Sequence, residues 1–410
     1  MNTRVRRVLL AHGLAAAGMG LPWPVLLVLV DLEGSPLLLG VAGAARLAPY
    51  VVLSWWSGRL ADRRERARIV RLSLVARICL LLMCAAAVAA GHTWPAVAVA
   101  TLAIAAGTPA YPALAAGMPR LAGAATPRAT SLLVTVEVSS FVVGPALGGL
   151  AVGRGPAPAA AVVGAVLCLG AALLFRGTVL PAPERVEPGH VAADLVAHEG
   201  PGIWPLLRAN RSARHALVVV AVVNGALSAL GLALLEIAEH VWETGEQGFG
   251  IATAVLGCGA LVAPVLAGFR PMASARGCLL VMAGAVAAVG LLPASAAVVA
   301  LAAVGAVSTC CENVATGVIQ VSVPDARRAS VLGLADSFMV GAALVAAVTA
   351  PWLAGLLGAI PLVLAVAAGT AVLGLSQVRR PHDLGVTGSG GPLVPGRLVA
   401  EAAVWERAAG

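Results

Sequence analysis

The chain contains no lysine, and all 27 of its basic side chains are arginine. Charged residues of either sign make up only 11% of its 410 residues. A water-soluble chain of this length carries about 25% charged residues to cover its surface, which excludes a soluble globular protein. Aromatic residues are scarce at 4%. The seven cysteines (79, 84, 168, 258, 278, 310 and 311) fall in apolar runs with no CxxC and no Cys/His ligand spacing. They are expected as small packing residues, and the scattered histidines give a metal site no support. No glycine-rich phosphate loop is present, so ATP hydrolysis has no place here, and no cofactor is implied.

What fills the chain is apolar. Sixty per cent of the residues are hydrophobic, and mean hydropathy is +0.94. Runs of about 20 apolar residues match a bilayer core of ~30 Å at 1.5 Å per residue. They are too continuous for alternating barrel strands, so the expected class is an all-α polytopic membrane protein with the lipid bilayer as its solvent. Twelve spans are predicted near 8–30, 37–57, 69–90, 95–118, 129–152, 157–177, 214–237, 248–269, 277–293, 296–321, 329–352 and 360–378. The first resembles a signal peptide but runs on without a small-residue cleavage pattern, so it is expected to be retained. The domains expected are a six-helix bundle over 1–177, a central loop over 178–213, a second bundle over 214–378 and a tail over 379–410. Arg397 to Ala409 is expected to form either a short interfacial helix or part of a disordered tail.

In a twelve-span count, 24 of the 27 arginines fall on loops of one side. Positive charge marks the cytoplasmic face, which places both termini and the central loop there. Asp31, Glu33, Glu236, Glu239, Glu243 and Glu246 lie on the opposite side. The isoelectric point near 9.8 therefore reflects topology, and no nucleic-acid partner is implied. Absent lysine together with the Ala, Gly and Val bias suggests a high-GC bacterial genome, hence multi-pass placement in a bacterial cytoplasmic membrane.

Between spans 2 and 3 the sequence reads GRLADRRERAR from Gly58 to Arg68. A mere solvated connector has no need of that order. Six plus six helices, a long central loop and this segment resemble the major facilitator superfamily, whose loop pattern is Gly-x-Leu-Ala-Asp-Arg-x-Gly-Arg. Gly58, Leu60, Ala61, Asp62, Arg63 and Arg66 stand at the matching places, while Glu65 replaces the second glycine and Ala67 a basic residue. The resemblance implies two pseudo-symmetric six-helix bundles and a latch on the cytoplasmic side. Gly58 is expected to end helix 2 tightly and admit a neighbouring helix. Asp62 is expected against the N-terminal end of a helix in the same half, where unsatisfied N–H groups favour an anion. Arg63 and Arg66 are expected to meet acids or lipid headgroups.

Helix 5 carries Gly144, Pro145, Gly148 and Gly149, which resemble the glycine–proline motif of the superfamily's antiporters. Such glycines equally suit ordinary close helix packing. The stretches at 127–134 and 327–334 echo one another, as an internal repeat of the fold requires. Drug/proton antiporters of the superfamily place an arginine in helix 4, and Thr101 to Pro112 has none.

Five ionisable residues lie within spans: Arg46, Arg77, Glu137, Glu312 and Asp336. Each costs ~3 kcal/mol or more in lipid, so they are expected to face the interior or one another. Glu137 or Asp336 is the candidate proton-coupling acid, with Arg46 or Arg77 as its switchable partner or a substrate anchor. Glu312 with Asn313, Thr316 and Gln320 is expected to line a cavity; structural ion pairing is the alternative for all of them. Tryptophans near span ends, Trp23 among them, are expected as interfacial anchors, and Phe141 and Phe338 as stacking surfaces for cargo.

The functional expectation is a proton-coupled exporter of a small, largely apolar organic compound such as a drug or secondary metabolite, acting as a monomer by alternating access. The alternatives are a proton-coupled importer of a small polar solute and, in a different class, a membrane sensor or integral-membrane enzyme. No catalytic cluster and no large soluble domain favours the latter pair. Orientation is testable with cysteines introduced singly into a cysteine-free background. Ala124→Cys and His92→Cys are expected to react with an impermeant maleimide from opposite faces of the membrane; labelling from one face would overturn the span count.

Overall fold

The computed structural model describes residues 3–32, 36–151, 155–180, 203–266 and 269–377. The proposed tail helix at 397–409 and most of the central loop lie outside the described residues. Apolar side chains leave the backbone as the only polar group in each run, and an α-helix satisfies that backbone internally. The described helices are α1 (Thr3–Gly20), α2 (Pro22–Asp31), α3 (Pro36–Arg63), α4 (Arg66–Ala89), α5 (Thr93–Gly107), α6 (Ala110–Ala122), α7 (Thr126–Ala151) and α8 (Ala159–Phe175). After the central loop follow α9 (Ile203–Ala209), α10 (Arg211–Glu236), α11 (Gly245–Ala260), α12 (Ala263–Leu266), α13 (Ala275–Leu291), α14 (Ala294–Ser322), α15 (Asp325–Leu357) and α16 (Ala359–Ser376).

Pairs α1/α2, α5/α6 and α11/α12 are single rods interrupted by a break, so these segments amount to twelve spans plus the short α9. Among the described residues, seven stretches, Arg66–Ala89 and Ala294–Ser322 among them, are long and apolar enough to cross a membrane. The breaks have local causes. Pro22 and Pro24 follow Gly20 at the first, and Pro109 follows Gly107 at the second. Proline supplies no N–H and cannot continue the ladder, so carbonyls on the preceding turn lose their partners.

The first bundle has one apolar core, and that core continues into Ala315, Ile319, Val331 and Leu332 at the arginine-rich ends of α14 and α15. A second core, including Leu230, Met282, Val304 and Val363, belongs to the second bundle alone. The bundles therefore adhere at the arginine-rich end. Among the described residues, the closest backbone approach between the two bundles is where α3 crosses α15. A Cβ on Gly58 would collide with the backbone of Ala329 and Ser330, and one on Gly333 would collide with the carbonyl of Ser54. Gly58 thus serves close approach, while α3 runs past it to Arg63, so the expected helix end at Gly58 is not found. Farther along the same helices, at Gly40, Gly43 and Gly341, a Cβ would meet no atom within 4 Å beyond its own chain neighbours and helix backbone.

This asymmetry yields a paired test. Gly58→Leu and Gly333→Leu are each expected to destabilise the protein by about 1–3 kcal/mol through overpacking. Gly341→Leu, which meets open space, should stay within about 0.5 kcal/mol of the parent. Thermal unfolding in detergent reads the difference, and equal shifts for all three would contradict the crossing.

Candidate functional site

The two proline breaks meet at one cavity of about 40 Å³. Gly20 and Trp23 come from the α1/α2 break, Gly107 and Thr108 from the α5/α6 break. Around them stand His12, Arg46, Tyr50, Arg77, Tyr111, Glu137 and Ser140, with Asp336 contributed by the second bundle. Four of the five intramembrane charges named from sequence are thus brought together: Arg46, Arg77, Glu137 and Asp336. Glu312 is not among the lining residues. It is buried on α14, and its Oε1 accepts a hydrogen bond from Asn224 Nδ2 at 2.9 Å. The polar face of α14 beyond it closes the bundle boundary instead of lining open space. Asn313 donates to the Ser131 hydroxyl at 3.1 Å, and Gln320 donates to the Ala115 carbonyl at 2.8 Å while accepting from Thr130 at 2.8 Å.

Glu137 has a partner that sequence reasoning passed over. His12 Nε2 lies 2.6 Å from Glu137 Oε2, across 125 positions of sequence. The imidazole is 5% exposed and its ring sits 6.1 Å from that of Tyr111. The available signal was position: His12 is the one ionisable residue between Arg7 and Asp31 in an apolar span. Among the described residues, neither Arg46 nor Arg77 forms an ion pair with Glu137, Glu312 or Asp336. Arg77 Nη2 instead donates to the Gly107 carbonyl at 2.7 Å. That oxygen ends α5, where the helix dipole is negative and the last carbonyls lack intrahelical partners. A Cβ at position 107 would strike the guanidinium, at 2.5 Å from Nε and 2.7 Å from Cζ. The stretch Thr101 to Pro112 of the fourth span itself carries no arginine; Arg77 reaches its break from the third span, α4.

Two donors at the cavity have no partner among the described residues, Trp23 Nε1 and Arg77 Nε. Trp23 is 1% exposed, so it lines the cavity and is not the interfacial anchor expected. Phe338 points elsewhere too, to a groove beside α9 and α10. The side chain of Phe141 lies outside the described residues, as do those of Pro145 and Gly149. Gly144 and Gly148 hold α7 against the α1/α2 break. A Cβ on Gly144 would lie 2.8 Å from the Ala17 carbonyl oxygen, and one on Gly148 would meet the carbonyl of Leu21.

At the arginine-rich end the ordered loop does its work across the bundle boundary. Asp62 Oδ1 accepts from the Ala329 N–H at 2.9 Å, and Oδ2 from the Ser330 N–H at 2.8 Å and its hydroxyl at 2.6 Å. These groups belong to the first turns of α15 in the second bundle, which corrects the expectation of a helix in the same half. The Gly58–Gly333 crossing explains the change, because it sets α15 nearest to the carboxylate. Asp62 lies beyond the apolar stretch of α3. Burial pushes its carboxyl up to about 6, while Ser330, Ala329 and Arg66 act in the opposite sense.

Arg66 is fully buried and pairs with Asp325 of α15 at 3.2 Å. Asp325 also lies 2.6 Å from Arg328 and 3.7 Å from Arg120. Ala61 is buried, Leu60 is 44% exposed, and Arg63 faces outward. Glu65, in place of the family glycine, precedes α4 and meets Arg71 at 3.1 Å on the surface, a pair of little energetic weight. Asp325, Arg328, Arg120 and Ser330 were missed. The charged run PDARRAS at 324–330 was the signal available.

Residues 8–340 match the family described as Major Facilitator Superfamily. The human organic anion transporter MFSD10 (TETRAN) superposes with a TM-score of 0.69 at 15% identity, covering 92% of this chain and 99% of that one. A bacterial homologue of the iron transporter ferroportin, in its outward-facing state, gives 0.66 at 16%, covering 91% and 99%. The fucose:proton symporter FucP of E. coli gives 0.65 at 12%, covering 91% and 99%. At such identities the likeness concerns fold. No curated protein sequence matches the chain. Twelve spans in two bundles, and a family match reaching from the first span into α15, establish that this chain belongs to the major facilitator superfamily, whose members are membrane transporters and not enzymes.

Proposed function

We propose that the protein is a proton-coupled exporter of a small organic compound, working by alternating access between bundles 1–177 and 214–378. The 178–213 loop joins the two bodies and 379–410 forms the tail. In this reading it acts as a monomer in a bacterial cytoplasmic membrane. The His12–Glu137 pair carries the proposal. A carboxylate bonded to an imidazole in a nearly closed cavity changes its net charge when it gains a proton. An uncompensated charge there costs several kcal/mol, enough to favour one arrangement of the bundles over the other. Asp336 stands in the same cavity on the opposite bundle, so the bundles sense the proton together.

In this reading the arginine-rich latch holds the two bundles together on its own side. Outward direction rests on the helix 5 glycines, whose packing fixes the α1/α2 break. The cargo reading narrows with the lining. Trp23, Met19 and Ile104 offer an apolar wall for a largely apolar body. Arg46, the free Nε of Arg77 and the Trp23 indole N–H suit one acidic or carbonyl group on that body. The human organic anion transporter of the same fold is consistent with this choice. At about 40 Å³ the site is well below the ~300 Å³ a drug-sized ligand needs, so the cargo enters only as the bundles move apart. The same polar lining favours, as a second reading, proton-coupled import of a small polar solute.

Two experiments follow. In proteoliposomes carrying an internal pH dye, a panel of small organic acids, drugs and neutral sugars is presented under an imposed proton gradient. Solute-dependent proton movement is expected for the parent, and Glu137→Gln is expected to reduce it by 100-fold or more, on the order of 3 kcal/mol. If Glu137→Gln and Asp336→Asn both keep full gradient-driven transport, proton coupling through this cavity is wrong. Separately, Asp62→Ala removes an ionised acceptor from three donors, each such bond being worth ~1.5–3 kcal/mol. A cysteine at Ala335 should then react with an impermeant thiol reagent from the arginine-rich side at least about tenfold faster than in the parent, a factor equal to ~1.4 kcal/mol. Unchanged reactivity would show that the latch does not hold the bundles together.

A further inference from the structure

A groove outside the central cavity runs between α9, α10 and α15. Trp204 and Leu207 of α9, Val218 and Val222 of α10 and Phe338 of α15 wall a space of about 290 Å³, with Arg208 and Arg214 beside it. Trp204 is 55% exposed, Val218 42% and Phe338 41%. Arg214 and Val222 are two turns apart on α10, so the groove covers ~12 Å along that helix. One leaflet of a ~30 Å core is about 15 Å deep, so this is a trough on the scale of one lipid leaflet.

The arginines distinguish the trough from ordinary lipid-facing surface. Arg214 Nη1 donates to the Arg208 carbonyl at 3.2 Å, which ties the α9–α10 turn and leaves both guanidinium groups at the arginine-rich end. Among the described residues neither has a carboxylate partner. Guanidinium matches phosphate geometry with parallel N–H donors, and tryptophan favours the headgroup level. Among the described residues, the groove thus presents positive charge without a carboxylate partner at its headgroup end and unbroken apolar surface below.

We propose that this groove holds one anionic phospholipid of the leaflet on the arginine-rich side. Its phosphate pairs with Arg208 and Arg214, and an acyl chain lies against Trp204, Val218 and Phe338. The site matters to the transport cycle because Phe338 follows Asp336 by two positions on α15, the helix that also carries Ala329 and Ser330 of the latch. Lipid occupancy therefore bears on the mobile contact between bundles, whatever solute is carried.

Native mass spectrometry of the full-length protein, purified with equimolar phosphatidylglycerol and phosphatidylcholine, tests this. The parent is expected to retain one phosphatidylglycerol at least about tenfold in preference to phosphatidylcholine, the scale set by two arginines near an anionic headgroup. Arg208→Gln with Arg214→Gln should abolish the preference. Val218→Trp, which fills the trough and leaves both arginines, should abolish retention itself and keeps the idea testable if the double variant does not fold. Equal retention of the two lipids by the parent would overturn the proposal. So would phosphatidylglycerol bound as well to Val218→Trp as to the parent, since the arginines would then be acting as a phosphate site without the groove.

Discussion

Two glycines allow α3 and α15 to touch backbone to backbone, and the closed state depends on that crossing. Without side chains at Gly58 and Gly333 in the way, the Asp62 carboxylate reaches the first turns of α15. Arg66 can then be buried, because Asp325 is delivered to it. A buried guanidinium with no acid beside it is costly. The interactions depend on one another: the close approach positions the hydrogen bonds, and the ion pairs lie where that contact excludes water.

The cavity follows a different logic. Its walls are built from helices that fail, at Pro22 and Pro109, and the failures leave polar backbone where lipid would not tolerate it. Arg77 resolves one such failure by covering the Gly107 carbonyl. His12 and Glu137 resolve another problem, that of two polar side chains in an apolar core, by meeting each other. Glycines on α7 press the α1/α2 break into place. Charge and backbone irregularity thus concentrate at one depth, where Asp336 of the second bundle joins residues of the first.

The twelve spans were legible because lipid imposes a long, continuous apolar run on every crossing helix, and such runs need no knowledge of neighbours. Arginine placement was legible for the same reason. Pairing was not. His12 and Glu137 are joined by tertiary folding alone, and nothing near either residue names the other. For Asp62 the local pattern showed that an anion seeks helix N–H groups, but which helix supplies them depends on a crossing set by Gly333, far along the chain. Trp23 was misread because proximity to a span end in sequence ignores the break at Pro22, which turns the indole inward. Phe338 was assigned to the cargo site from its closeness to Asp336, yet two positions along a helix turn a side chain well away.

Asp325 accepts the attention of Arg66, Arg120 and Arg328 in a region shielded from water. Buried ion pairs gain in attraction roughly what they lose in hydration. Were α15 to withdraw, Asp325 would leave with Arg328 on its own helix and Arg66 would regain water, while Arg120, whose side chain is already 43% exposed, would change little. The exchange is close to balanced, so this cluster works as a reversible seal and not as a lock. It aligns α15 against the first bundle while adding little net stability to that contact.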